Sequence, residues 1–175
     1  MPEARSWLGR IARWRVPLGF LFAALALWLA QPTAWSLQAG AVIAAAGEAI
    51  RIWAAGHLEK GREVTASGPY AFTRHPLYLG SSVIGIGLAV AGASVALALV
   101  VGLYLSVTLT AAIRTEEAHL TDKFGDRYPA YRDGRVSVER RFSLARATAN
   151  REYRAVAGVV IGFALLALKL VFWPD

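Results

Sequence analysis

Residues 76–113 read PLYLGSSVIGIGLAVAGASVALALVVGLYLSVTLTAAI, two apolar runs separated by Gly92, Ala93 and Ser94. The first run predicts a helix that opens at Pro76 or Leu77, because proline suits a helix's first turn, and closes near Ala91. The second reaches Ile113, so the tight turn between them makes a helical hairpin. Ser81, Gly85 and Ala89 recur at every fourth position of the first run, a spacing of small residues that lets neighbouring helices approach closely.

Outward from the hairpin the pattern repeats. A span from about Val16 to Ala30 is short, but Arg13, Arg15, Trp14 and Trp28 extend its reach at the interfaces before Gln31 and Pro32 end it. A second span from about Leu37 to Leu58 carries Glu48 and Arg51 inside an otherwise apolar run. Beyond Ile113 the fourth helix is expected to leave the bilayer through Arg114, Glu116, Glu117, Leu120 and Phe124, with Gly125 as its C-terminal cap. A fifth apolar run covers Ala155 to Trp173, with Lys169 placed to snorkel outward. Of 175 residues 56% are hydrophobic and 18% charged, with no cysteine. That balance suits a bilayer better than water and excludes disulfides and thiolate chemistry. The expected fold is an all-α integral membrane protein of about five transmembrane helices, one domain over residues 1–175.

The net charge of +7 does not point to nucleic acid, because the basic residues flank the apolar runs. Arg5, Arg10, Arg13 and Arg15 precede an apolar stretch as in a signal peptide, but no small-residue cleavage site stands out, and we read a retained helix. The segments before the first span, between the second and third and between the fourth and fifth hold 4, 3 and 10 Lys or Arg. The other two loops hold none. The positive-inside rule therefore puts the N-terminus and both charged loops in the cytoplasm. His57, His75 and His119 form no metal-ligand pair at helical spacing, so no metal is expected.

The hairpin brings two polar segments to that same side. The first is Gly68-Pro69-Tyr70-Ala71-Phe72-Thr73-Arg74-His75-Pro76-Leu77-Tyr78-Leu79-Gly80. Free N–H groups at Leu77 to Leu79, with Arg74 and His75, suit a carboxylate or phosphate, while Tyr70, Phe72 and Tyr78 can wall a flat ring. The alternative is a basic juxtamembrane turn. The second segment runs from Arg114 through Glu116, Glu117, His119 and Leu120 to Phe124, Gly125, Asp126, Tyr128 and Tyr131. Glu117, Leu120 and Phe124 share a helix face, and Glu117 can take a ribose diol or an ammonium or, as a solvated helix end, pair with Arg114.

Together the GPYAFTRHPLYLG and RTEEAHLTDKFGDRYPAY segments resemble the isoprenylcysteine carboxyl methyltransferase family and the related phospholipid methyltransferases. The likeness runs from about Ile50 to Val138, a methyltransferase-like core, and leaves residues 139–175 as a basic segment plus an additional helix. It implies S-adenosylmethionine as cofactor in a pocket on the cytoplasmic side, and a lipophilic acceptor arriving from the membrane lipids. By motif position, Tyr70, Arg74, His75, Pro76, Tyr78, Leu79 and Gly80 fall in one cofactor-binding stretch. Glu116, Glu117, Leu120, Tyr128 and Tyr131, with Phe124 and Gly125, fall in the other. The acceptor implied first is an isoprenylcysteine-type or other lipid-linked carboxylate, with a phospholipid ethanolamine amine as the alternative.

Arg51 lies roughly 10 Å inside the second span, where an unpaired charge is expensive. Either Glu48, one turn away, neutralises it, or Arg51 anchors an anionic acceptor with Glu48 orienting it, which would make the two the catalytic pair. Residues 140–154 either form a solvated linker, lie on the anionic leaflet or fold over the cofactor as a lid. An NADPH-dependent sterol or enone reductase is a second enzyme reading, although Gly85-Ile86-Gly87 lacks the strand and the third glycine of a dinucleotide site. A transporter subunit, with Glu48 and Arg51 on an ion path, is the non-enzyme reading.

Overall fold

The computed structural model describes residues 20–125, 127–133 and 140–173. Arg5, Arg10, Arg13, Trp14, Arg15 and the expected start of the first span at Val16 lie outside the described residues, as do Asp126 and residues 134–139, where the resemblance ends. The described residues form helices joined by turns and loops, with no strand among them. The elements are α1 (Phe20–Leu29), α2 (Ala34–Ala55), a 3-10 turn (Gly68–Ala71), α3 (Pro76–Ala91), α4 (Val95–Phe124), α5 (Arg127–Arg132), α6 (Leu144–Ala149) and α7 (Tyr153–Phe172).

Local signals set the boundaries. Thr33 and Ser36 form a reciprocal capping box that starts α2, with the Thr33 hydroxyl accepting from the Ser36 N–H at 3.0 Å. Pro76 opens α3, and the Ser94 hydroxyl accepts from the Leu97 N–H at 3.3 Å to start α4 after the expected turn. Gly125, at φ 52, closes α4 as expected.

Among the described residues, α4 and α7 are long and apolar enough to cross a membrane, while α1 and α3 are apolar but shorter. Leu99, Leu103 and Val107 on α4 and Val160, Ile161 and Val171 on α7 are exposed, as suits a lipid surrounding. The helices alternate in direction, so the molecule has two distinct ends. At one, the Gln31 N–H donates to the Gly92 carbonyl at 2.7 Å and the Ser36 hydroxyl to the Ala91 carbonyl at 2.9 Å, tying the α1–α2 and α3–α4 turns together. Lys169 also closes this end. Its ammonium donates to the carbonyls of Leu27, Trp28 and Ala30 at 2.9, 3.1 and 2.5 Å. The orphan carbonyls at the end of α1 offer it acceptors there.

α2 and α3 make the tightest contact. Gly40, Ala44 and Gly47 face Gly80, Gly87 and Ala91, and a Cβ added to Gly47 would lie 2.7 Å from the Gly80 carbonyl oxygen. The small-residue stripe expected at Ser81, Gly85 and Ala89 is divided between neighbours: Ser81 meets Arg51 of α2, and Gly85 lies under Leu105 of α4. Ala30, Ala91, Leu97, Val101 and Leu166 form the core where α1, α3, α4 and α7 converge.

The opposite end holds the polar segments. There residues 140–152 dock on the C-terminal end of α2. Asn150 Nδ2 donates to the carbonyls of Ala55 and Leu58, both at 2.9 Å, Arg146 to the Gly56 carbonyl at 2.5 Å, and the Ser143 N–H to the same carbonyl at 3.1 Å. Arg146 and Arg140 also pair with Glu59 at 2.9 and 3.1 Å, and Phe142 packs on Gly56. This segment is not a solvated linker: it supplies donors to carbonyls that a helix end leaves unpaired.

Candidate functional site

Arg74 and His75 precede α3 and Glu117 lies in the polar extension of α4, so the hairpin sets them face to face. His75 Nε2 donates to Glu117 Oε1 at 3.0 Å, and Arg74 approaches the same oxygen at 3.4 Å. The His75 hydrogen bond, with Arg74 adding its charge, holds the Glu117 carboxyl below its ordinary 4.5 against partial burial. Tyr128 faces Glu117 from α5. Its hydroxyl is buried without a well-formed hydrogen bond, and burial, then the adjacent carboxylate, pushes it up to about 12.

Beside this cluster an open groove of about 540 Å³ is lined by Arg114, Glu117, Ala118, Thr121, Asp122 and Tyr128. Its size lies within the range of small-molecule sites, about 300–1,000 Å³. Of this lining, Ala118, Thr121 and Asp122 were not singled out in the sequence, and Arg114 was read there only as the start of the second segment and a partner for Glu117. Their signal was the 114, 117, 118, 121 spacing, one face of a helix. The expected Arg114–Glu117 pair is not formed, because Arg74 and His75 take Glu117.

The other predicted residues divide into groups. Tyr78 lies against Glu116, on a different face of α4 from Glu117. Buried Tyr131 donates its hydroxyl to the Tyr70 carbonyl at 2.7 Å, anchoring the 3-10 turn, and Leu120 packs with Ala66, Tyr128 and Tyr131. These two are structural supports in the fold. Gly80 is needed by packing, since a Cβ there would lie 2.5 Å from Arg51 Cγ, and Pro76 is fully buried while Leu79 is half exposed. The anion seat expected at the start of α3 is largely closed: the N–H groups of Tyr78 and Leu79 donate to the His75 carbonyl at 3.1 and 3.0 Å. Gly68, at φ 58, lets the 3-10 turn lie flat on His57, whose ring a Cβ would meet at 2.6 Å.

Arg51 has a partner that the sequence reading did not foresee. Its Nε donates to Glu152 Oε1 at 2.7 Å, while a terminal nitrogen donates to the Ser81 hydroxyl at 2.5 Å and reaches the Leu77 carbonyl at 3.4 Å. Glu48 is buried, and neither of its carboxyl oxygens makes a hydrogen bond. The expected Glu48–Arg51 contact is therefore absent, because Glu152 reaches the guanidinium first.

Two curated relatives are similar over most of the chain. The nickel-cobalt-cadmium resistance protein NccN of Alcaligenes xylosoxydans xylosoxydans is 29% identical over 138 residues, covering 70% of this chain and 63% of its own length. The cobalt-zinc-cadmium resistance protein CzcN of Cupriavidus metallidurans is 30% identical over 125 residues, covering 66% and 56% respectively. The chain thus spans about three fifths of the length of these relatives. No solved structure matches it. The phospholipid methyltransferase family model matches residues 14–127, which take in α1 to α4, the Arg74–His75–Glu117 cluster and all but Tyr128 of the groove's lining. On that match, the chain belongs to the phospholipid methyltransferase family.

Proposed function

We propose that the protein is an integral membrane methyltransferase that uses S-adenosylmethionine and acts on a lipophilic acceptor. The observation that carries this reading is the convergence of Arg74, His75 and Glu117 beside an open groove, from two segments inside the family-matched stretch. The residues fit the cofactor's chemistry. Glu117, with Oε1 held by Arg74 and His75, suits the amino group or ribose diol; Arg114 suits the carboxylate; Tyr128 brings a buried hydroxyl and a ring to the same groove. S-adenosylmethionine supplies an electrophilic methyl on a sulfonium. The protein's part is alignment and exclusion of water, since in-line displacement needs little other help.

Five spans, with the groove facing the cytoplasm, complete the proposal, and the basic loops at that end support the orientation. The acceptor enters from the lipid. A lipid-linked carboxylate is the acceptor that the resemblance implied first; Arg51, the candidate anchor for such an anion, is held by Glu152 and lends it no support. The test is binding of labelled S-adenosylmethionine to the purified protein, with NADPH as comparison, followed by methyl transfer into a lipid extract. Saturable S-adenosylmethionine binding that Glu117→Gln weakens by about tenfold is expected, as for loss of a charge-assisted hydrogen bond. Binding of NADPH in its place would overturn the reading.

A further inference from the structure

Residues 140–154, outside the family-matched stretch, carry five arginines, and the fold uses two of them. Arg140 is held by Glu59 and Glu63 at 3.1 and 2.7 Å, and Arg146 by Glu59 and the Gly56 carbonyl at 2.9 and 2.5 Å. Arg141, Arg151 and Arg154 are exposed, and no carboxylate among the described residues pairs with them. Glu152, the only acid in the stretch, is turned inward onto Arg51, so the outward face is cationic. Beside these arginines stand three large apolar or aromatic side chains: Phe142, 46% exposed, Leu144, 67%, and Tyr153, 55%. Phe142 and Leu144 precede α7, so the hydrocarbon around that helix does not account for their exposure. The twenty residues of α7 make a helix about 30 Å long, the thickness of a hydrocarbon core, which sets the residues just before it at the level of the lipid headgroups. Asn150 and Ser143 tether the stretch to the end of α2, so the face is presented in a fixed form and little ordering remains to oppose binding.

We propose that this face is a binding surface for anionic phospholipids of the adjoining leaflet. Arg141, Arg151 and Arg154 take the headgroup phosphates, while Phe142, Leu144 and Tyr153 enter among the glycerols and upper acyl chains. A zwitterionic lipid offers the same phosphate, but its own ammonium offsets the charge, so the surface selects net negative lipids. This selection is independent of the methyltransferase reading. The chain has no cysteine, so Ala145→Cys, exposed on α6 beside Leu144, takes one fluorophore. Full-length labelled protein in phosphatidylcholine vesicles is doped with phosphatidylglycerol or phosphatidylcholine bearing a nitroxide near the glycerol end of one chain, and quenching reads which lipid occupies the face. Phosphatidylglycerol should be preferred about tenfold, within the roughly hundredfold that three basic residues at an anionic surface can supply. The preference should fall toward one in about 1 M salt, where the screening length is about 3 Å. Arg141→Gln/Arg151→Gln/Arg154→Gln should abolish it. Lys60→Gln/Arg62→Gln/Lys123→Gln removes as many charges from exposed positions at the same end and should leave it intact. If the first triple variant does not fold, Arg141→Gln and Arg154→Gln must each lower the preference about twofold or more by themselves. No quenching by either lipid, equal quenching by both, a preference that survives high salt, or equal loss in the two triple variants overturns the proposal.

Discussion

Glu117 accepts a hydrogen bond from His75 and forms an ion pair with Arg74 on the same oxygen, and its ionised form is the one the fold favours. Because its carboxyl titrates below 4.5 in the folded chain, that stabilisation is complete above the unfolded value and is lost as the pH falls through the lower, folded one. Glu117→Gln should therefore destabilise the protein at neutral pH, by less than about 1 kcal/mol for so accessible a pair and read as a lower unfolding temperature, and the gap to the wild type should close as the pH drops below 4.5. Thermal melts of both proteins across that interval check the sign; a gap that widens in acid contradicts the pairing. Tyr131→Phe removes one buried hydrogen bond to the Tyr70 carbonyl and should cost about 1 kcal/mol, read as a lower denaturation midpoint. The grouping of Arg74, His75 and Glu117 was legible in the sequence because the hairpin brings their two segments to the same end. Glu152 was not, since its partner lies 101 residues away and Glu48 offered a nearer, wrong choice.

Helix boundaries were legible for a related reason: Pro76, the Gly92–Ser94 turn and Gly125 act on the backbone beside them. Which face of an apolar helix packs was not, because a uniformly apolar surface has no polar stripe to orient it. The α2–α3 seam at Gly40, Gly47, Gly80 and Gly87 therefore escaped a reading based on small residues at every fourth position within α3 alone. Nor did apolarity reveal α6, whose six residues are held against α2 by Asn150 and Arg146. The seam makes a firm expectation possible. A Cβ at Gly47 would lie 2.7 Å from the Gly80 oxygen and 2.8 Å from the Ile84 nitrogen, both backbone atoms that cannot swing aside. Gly47→Ala should destabilise the protein by about 1–3 kcal/mol, whereas Gly102→Ala, where a Cβ meets nothing within 4 Å, should not. Equal melting of the two variants would show that the helices are less closely apposed.

At the scale of the molecule, alternating helices put every polar cluster described above except the Lys169 cap at one end, and the Gly92–Ser94 turn at the other. The basic residues of the sequence give that division an orientation: the loops around Lys60 and Arg141 should face the cytoplasm and Ala93 the opposite side. The absence of cysteine makes this directly measurable, since each introduced thiol would be the only one in the chain. Lys60 and Ala93 are both exposed, so Lys60→Cys and Ala93→Cys should leave packing intact. In intact cells a membrane-impermeant maleimide should label Ala93→Cys and spare Lys60→Cys, and opening the membrane should expose the second. Arg141→Cys should follow Lys60→Cys, because Arg140 and Arg146 on either side of it pair with Glu59 on the same loop. Labelling of Lys60→Cys from outside would invert the topology and place the groove away from the cytoplasm. Labelling of Lys60→Cys and Ala93→Cys from one side would mean that α2 and α3 form a re-entrant pair, leaving α4 and α7 as the helices that cross.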